Sequence, residues 1–189
     1  MSVFEYLAAG YVLMLSLAVL RAMSGVPHAV GSPNRYWVHI SWLFSSLIWC
    51  LMSFWCFWPY REVDWTVLQF MGALAIPALL YSYNSLLVPP DPSAVVSWRD
   101  YFFDVRTSLF ATGAAFMTAV VVSNQVSLGV PLLHPSQLLN YVQIGLCVVG
   151  LVSAKPGLHV ALALAFPGLL VIYLFTLMVD PNSVFRADS

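Results

Sequence analysis

Six apolar runs of membrane length, divided by proline- and glycine-bearing breaks, constrain this chain more than any other feature. A helix needs about 20 apolar residues to cross a bilayer, and only helices and closed barrels satisfy their backbone there. The runs cover residues 4–23, 37–58, 65–88, 101–123, 138–153 and 158–179. Gly25, Pro27, Gly31 and Pro33 mark a loop after the first. Pro59, with Arg61, Glu62 and Asp64, ends the second, and Pro89, Pro90 and Pro92 close the third. Residues 124–137, with Pro131 and Pro135, read as a long connection. Lys155-Pro156-Gly157 turns the chain into the last run, which ends at Asp180-Pro181. Of the 189 residues only 8% are charged, against about 25% in a soluble domain, so no separate soluble domain fits. The segment before the first run carries Glu5 and no Lys or Arg, so the first span is expected to stay as an anchor. The expected fold is all-α: a polytopic membrane helix bundle of about six transmembrane helices, with residues 1–189 forming one membrane domain.

An internal likeness adds a second constraint. Residues 68–93 and 158–183 align without a gap at an offset of 90. They share Ala73/Ala163, Leu74/Leu164, Ala75/Ala165, Pro77/Pro167, Leu80/Leu170, Tyr83/Tyr173 and Ser93/Ser183, among others. Two tandem three-span units necessarily face opposite ways, so halves 1–93 and 94–183 would form an inverted repeat. Basic residues set the expected orientation. With the amino terminus outside, the inner loops and flanks hold Arg21, Arg35, Arg99, Arg106 and Lys155, and the outer side holds Arg61 and Arg186. Five against two favours both termini outside.

Under that topology the ionisable residues gather at the inner ends of three spans. His39 opens the second, Asp100, Asp104 and Arg106 the fourth, and His159 the sixth. Asp104 and Arg106 are either buried functional charges or headgroup-level charges at a helix start. His39 and His159 are either ligands facing each other across the bundle or hydrogen-bonded interfacial histidines. Pro77 and Pro167 each free a backbone carbonyl in mid-span, and matched breaks in two halves point to transporter binding sites. Tyr83, Asn84 and Tyr173 are polar groups near them, and Asn140 and Gln143 add hydrogen-bonding capacity in the fifth span. Trp42 and Trp49, seven apart in the second span, share a face suited either to a flat apolar ligand or to packing.

Several chemistries are excluded. Cys50, Cys56 and Cys147 show no ligand spacing. The chain has no HExxH, no GxSxG and no glycine-rich phosphate loop, so no catalytic or metal site is assigned. A net charge of −1 without a basic run gives nucleic-acid binding no support.

Phe4-Glu5-Tyr6, Tyr36-Trp37 with His39 and Trp42, Trp65, Pro77, Leu87-Val88-Pro89, and Tyr101-Phe102 with Arg106 together resemble an uncharacterised family of small bacterial six-span integral membrane proteins. The likeness covers nearly the whole chain. Ser16 departs from it, standing where the family pattern has a glycine that lets helices pack closely. The resemblance implies a six-helix protein of the bacterial inner membrane and no assigned activity.

Three functions follow as expectations. One is a small channel or transporter, with a path between spans 3 and 6 and an inner vestibule at Asp104, Arg106, His39 and His159. A second is a non-catalytic accessory subunit or sensor of a larger membrane complex. The third is a haem- or quinone-binding redox subunit. The expected surroundings are the lipid bilayer and either a homo-oligomer or a larger complex. The sequence names no cofactor.

Overall fold

A computed structural model describes residues 2–177 as six long helices and two short 3-10 turns, with no strand among them. α1 spans Val3–Gly31, α2 Trp37–Trp55, α3 Val67–Leu87, α4 Trp98–Leu128, α5 Pro135–Val152 and α6 Pro156–Leu177. All six are long and apolar enough to cross a membrane. The expected end of the last span, the Ser183 partner of the repeat and Arg186 lie outside the described residues.

Local chemistry sets most helix starts. Ser2 and Glu5 close a capping box on α1, and Thr66 and Gln69 close one on α3. The Ser97 hydroxyl accepts from the Asp100 amide at the start of α4, and Pro135 occupies the first turn of α5. α4 stops at Gly129, whose φ of 67° is the left-handed cap that only glycine adopts freely.

Two boundaries differ from the sequence expectation. α1 continues through Pro27 to Gly31, two turns past the expected break. Pro27 forgoes one hydrogen bond, and the extension lets Gly25 press against the side chain of Val88, just past the end of α3. The long connection expected at 124–137 shrinks, because α4 runs on to Leu128 and α5 begins at Pro135. At 1.5 Å per residue α1 and α4 are roughly 43–46 Å long, well beyond a hydrocarbon core of about 30 Å.

The helices pack as a ring in the order α1, α3, α4, α5, α6, α2, with α2 closing back on α1. α2 also touches α3 and α4, so it is the hub of the bundle. The contacts α1–α2 and α2–α3 have counterparts in α4–α5 and α5–α6, but the extensive α1–α3 contact has no α4–α6 counterpart of similar extent. α3 and α6 do not pack along one another.

Candidate functional site

At one end of the bundle the helix carboxyl termini of α1, α3 and α5 meet the amino termini of α2, α4 and α6. This end carries Arg21, Arg35, Arg99, Arg106 and Lys155, and we call it the basic end. The unpaired carbonyls of the last helical turn carry partial negative charge and need donors. Arg106 supplies them for α5: its Nη1 donates to the carbonyls of Gly150 (2.8 Å), Leu151 (2.6 Å) and Ser153 (2.9 Å). His159 Nε2, as the protonated nitrogen, donates to the Ser153 carbonyl at 2.8 Å. Arg21 Nη2 donates to the Val88 carbonyl (2.8 Å) and the Tyr101 hydroxyl to Leu86 (2.7 Å), which finishes α3 before Pro89.

The inner cluster expected from sequence is therefore partly assembled. His39, His159 and Arg106 come together, and both histidines pack on the ring of Phe102. Each histidine is fully buried, His39 against Trp98 and His159 between Phe103 and Phe110. The Leu87 carbonyl lies within reach of the His39 ring, but neither ring nitrogen attains hydrogen-bond geometry. Asp104 stands apart, exposed on the outside of α4. Among the described residues no three His, Cys, Asp or Glu side chains group as a metal site requires.

Above this cluster the core is aromatic. Trp42 packs edge-on to Phe110 (5.0 Å) and against Phe166 (4.8 Å). Trp49 packs on Tyr83, Phe116 and Phe166 at 4.9–5.3 Å. All are at most 2% exposed; Phe110, Phe116 and Phe166 sit near the middles of α4 and α6, Trp42 and Trp49 flank the middle of α2, and Tyr83 lies about one turn from the carboxyl end of α3. The shared face of Trp42 and Trp49 is filled by these rings, so the packing role holds and a flat ligand has no room between them.

Of the other sequence candidates, Pro167 and Asn84 sit at hydrogen bonds between helices. Pro167 has no amide hydrogen for the Ala163 carbonyl, and the Ser41 hydroxyl of α2 fills that vacancy at 2.7 Å. Pro77 leaves the Ala73 carbonyl in the same condition, and no side chain among the described residues donates to it. Asn84 Nδ2 donates to the Ala18 carbonyl (2.9 Å), joining α3 to α1. Tyr83 is buried with its hydroxyl unpartnered.

Beyond the aromatic layer, toward the end opposite the basic one, lies a cavity of about 60 Å³. All six helices and the turn at Tyr60 contribute to its wall, with Ala73 and Ile76 from α3 and Tyr173 from α6. Tyr173 lines it together with Trp49, Asn140 and Gln143, which the sequence also singles out. Its polar rim is tightly organised. The Tyr60 hydroxyl bonds Ser123 Oγ (3.0 Å) and Asn124 Oδ1 (2.9 Å), and Trp49 Nε1 donates to Gln143 Oε1 (3.0 Å). Tyr60, Ser123 and Asn124 escaped the sequence reading, because they fall where span ends were expected. The buried stripe Ser136, Gln137, Asn140, Gln143 along α5 is the signal that points there. A benzene ring needs a cavity of about 150 Å³, so this one is too small for a quinone head or a haem.

Six membrane-length helices with apolar side chains outside and their buried polar groups turned inward define a multi-pass integral membrane protein. No known protein family, curated protein or solved structure matches this chain.

Proposed function

We propose that this protein is a non-catalytic subunit or sensor of a larger membrane assembly. The observation that carries this reading is the aromatic layer of Trp42, Trp49, Phe110, Phe116 and Phe166 across the middle of the bundle. A route for ions or polar solutes through the bundle would have to cross that layer, and α3 and α6, which do not pack along one another, share only the wall of the small cavity beyond it. The ionisable groups point the same way: Arg106, Arg21 and His159 are committed to helix carbonyls. The sequence resemblance and the charge distribution support a bacterial inner membrane, with the basic end cytoplasmic and both termini outside.

The test is a gentle-detergent pull-down of the tagged protein from its native membrane, with mass spectrometry. A stoichiometric partner is expected. Recovery of the chain alone, as monomer or homo-oligomer, overturns the subunit reading and returns the channel or transporter to first place. Topology is checked separately by thiol labelling of single cysteines at Asn34 and Asp64 from the outside, where Asp64 alone should react.

A further inference from the structure

The cavity beyond the aromatic layer holds unmet hydrogen-bonding capacity, and its pattern can be worked out atom by atom. The Val121 carbonyl can only accept, so Gln137 meets it with Nε2 (3.2 Å). That leaves Gln137 Oε1 to accept, and Asn140 donates to it through Nδ2 (3.2 Å). Asn140 Oδ1 is then a spare acceptor. Likewise Trp49 Nε1 can only donate, so it meets Gln143 Oε1 and leaves Gln143 Nε2 as a spare donor. The Tyr173 hydroxyl, able to do either, also has no partner among the described residues. These three residues are 95% buried or more. Among the described residues their spare atoms do not belong with the sealed, unpartnered groups, such as the Tyr83 hydroxyl and Trp42 Nε1. For side chains this deep, the open space they meet is the cavity that all three line.

We infer that this cavity is a binding site for a small, uncharged molecule that both donates and accepts hydrogen bonds. Neutrality follows from the wall, which among the described residues carries no Asp, Glu, Lys, Arg or His, so an ion there would lie unpaired in a low-dielectric interior. Size follows from the volume: about 60 Å³ takes about two water molecules or a solute of a few heavy atoms. Dual hydrogen-bonding character follows from the spare donor at Gln143 and the spare acceptor at Asn140. Lipid tails can satisfy neither group. Met52, Met117, Phe57 and Phe116 supply the apolar part of the wall. Water and a small amide share this chemistry, and the test separates them.

The full chain in lipid nanodiscs is exposed to X-ray-generated hydroxyl radicals, and side-chain oxidation is read by mass spectrometry. Hydroxyl radicals formed from water held in the cavity oxidise Met117 and Tyr173 well above Trp42 and Phe110 in the dry layer. Formamide and urea are then added. A fall in Met117 and Tyr173 oxidation shows an organic solute taking the site, and unchanged strong oxidation shows water as its occupant. The variant Asn140→Leu, which removes the spare acceptor, should lower Tyr173 oxidation several-fold while the pattern elsewhere is kept. The inference is overturned if Met117 and Tyr173 are as protected as Trp42 and xenon enters the cavity instead, which marks it as dry and apolar.

Discussion

Arg106 donates from one nitrogen to three carbonyls on another helix, and that geometry explains why an arginine stands on an apolar helix. Charge-assisted capping of a helix carboxyl terminus is worth about 1–2 kcal/mol, so Arg106→Gln should lower stability in detergent by about that much. Arg106→Lys keeps the charge and three donors on one nitrogen but on a shorter stem, and should lose about half as much. Unfolding by steric trapping measures both, and equal stability of all three proteins would refute the capping role. Asp91, in the loop after α3, gives a pH-dependent counterpart. Ser93 donates to its carboxylate from both hydroxyl and amide, which holds the group below the usual carboxylate range. The resulting stabilisation is in place above the ordinary carboxylate pKa and is lost as pH falls through the depressed one. Ser93→Ala should move the Asp91 titration upward, followed by NMR of the side-chain carboxyl; an unmoved midpoint counts against the hydroxyl's part. The sequence marks Arg106 and His159 as polar groups in search of partners. It cannot mark the partners, because bare carbonyls at 150, 151 and 153 leave no trace in residue type.

At the scale of helices, proline and glycine behave according to what lies across from them. Ser41 completes the Ala163 carbonyl that Pro167 leaves open, so Ser41→Ala should cost about 0.6–1.5 kcal/mol. In a Pro167→Ala background the restored amide serves Ala163, and the cost of Ser41→Ala should fall toward zero. A double-mutant cycle reads the coupling, and additive effects would break the link. A methyl at Gly150 would sit 2.6 Å from the Phe110 ring. That ring is held by Trp42 and His159 and cannot retreat, so Gly150→Ala should destabilise by about 1–3 kcal/mol. Gly145, on the same helix with nothing facing it, is the control: alanine there should be neutral or stabilising by up to about 1 kcal/mol. Helix number and class are legible in the sequence because hydropathy and length decide them. Helix ends are less so. Pro27 reads as a breaker, yet the tight crossing of Gly25 on Val88 carries α1 past it, and that crossing depends on a residue more than sixty positions away.

For the whole molecule, the aromatic layer divides the interior into a capped basic end and a small polar cavity. Proteoliposomes containing the protein should therefore leak protons and potassium no faster than empty vesicles, as followed by pH-sensitive and potassium-sensitive dyes. A protein-dependent flux would show that the layer opens. The matched prolines were legible in sequence, but their partners were not: one carbonyl is served by α2 and the other belongs to Ala73, which lines the cavity, an asymmetry that arises from the ring order of the helices. Nothing in the chain announces that order, because apolar faces of similar composition carry no address. The central place of α2 has a consequence for how the protein is made. α2 leaves the ribosome early, yet Ser41 and Trp42 meet their α6 partners only after more than a hundred further residues. Until then Trp42 and Trp49 have their α3 and α4 partners but lack Phe166, and synthesis of α6 supplies it.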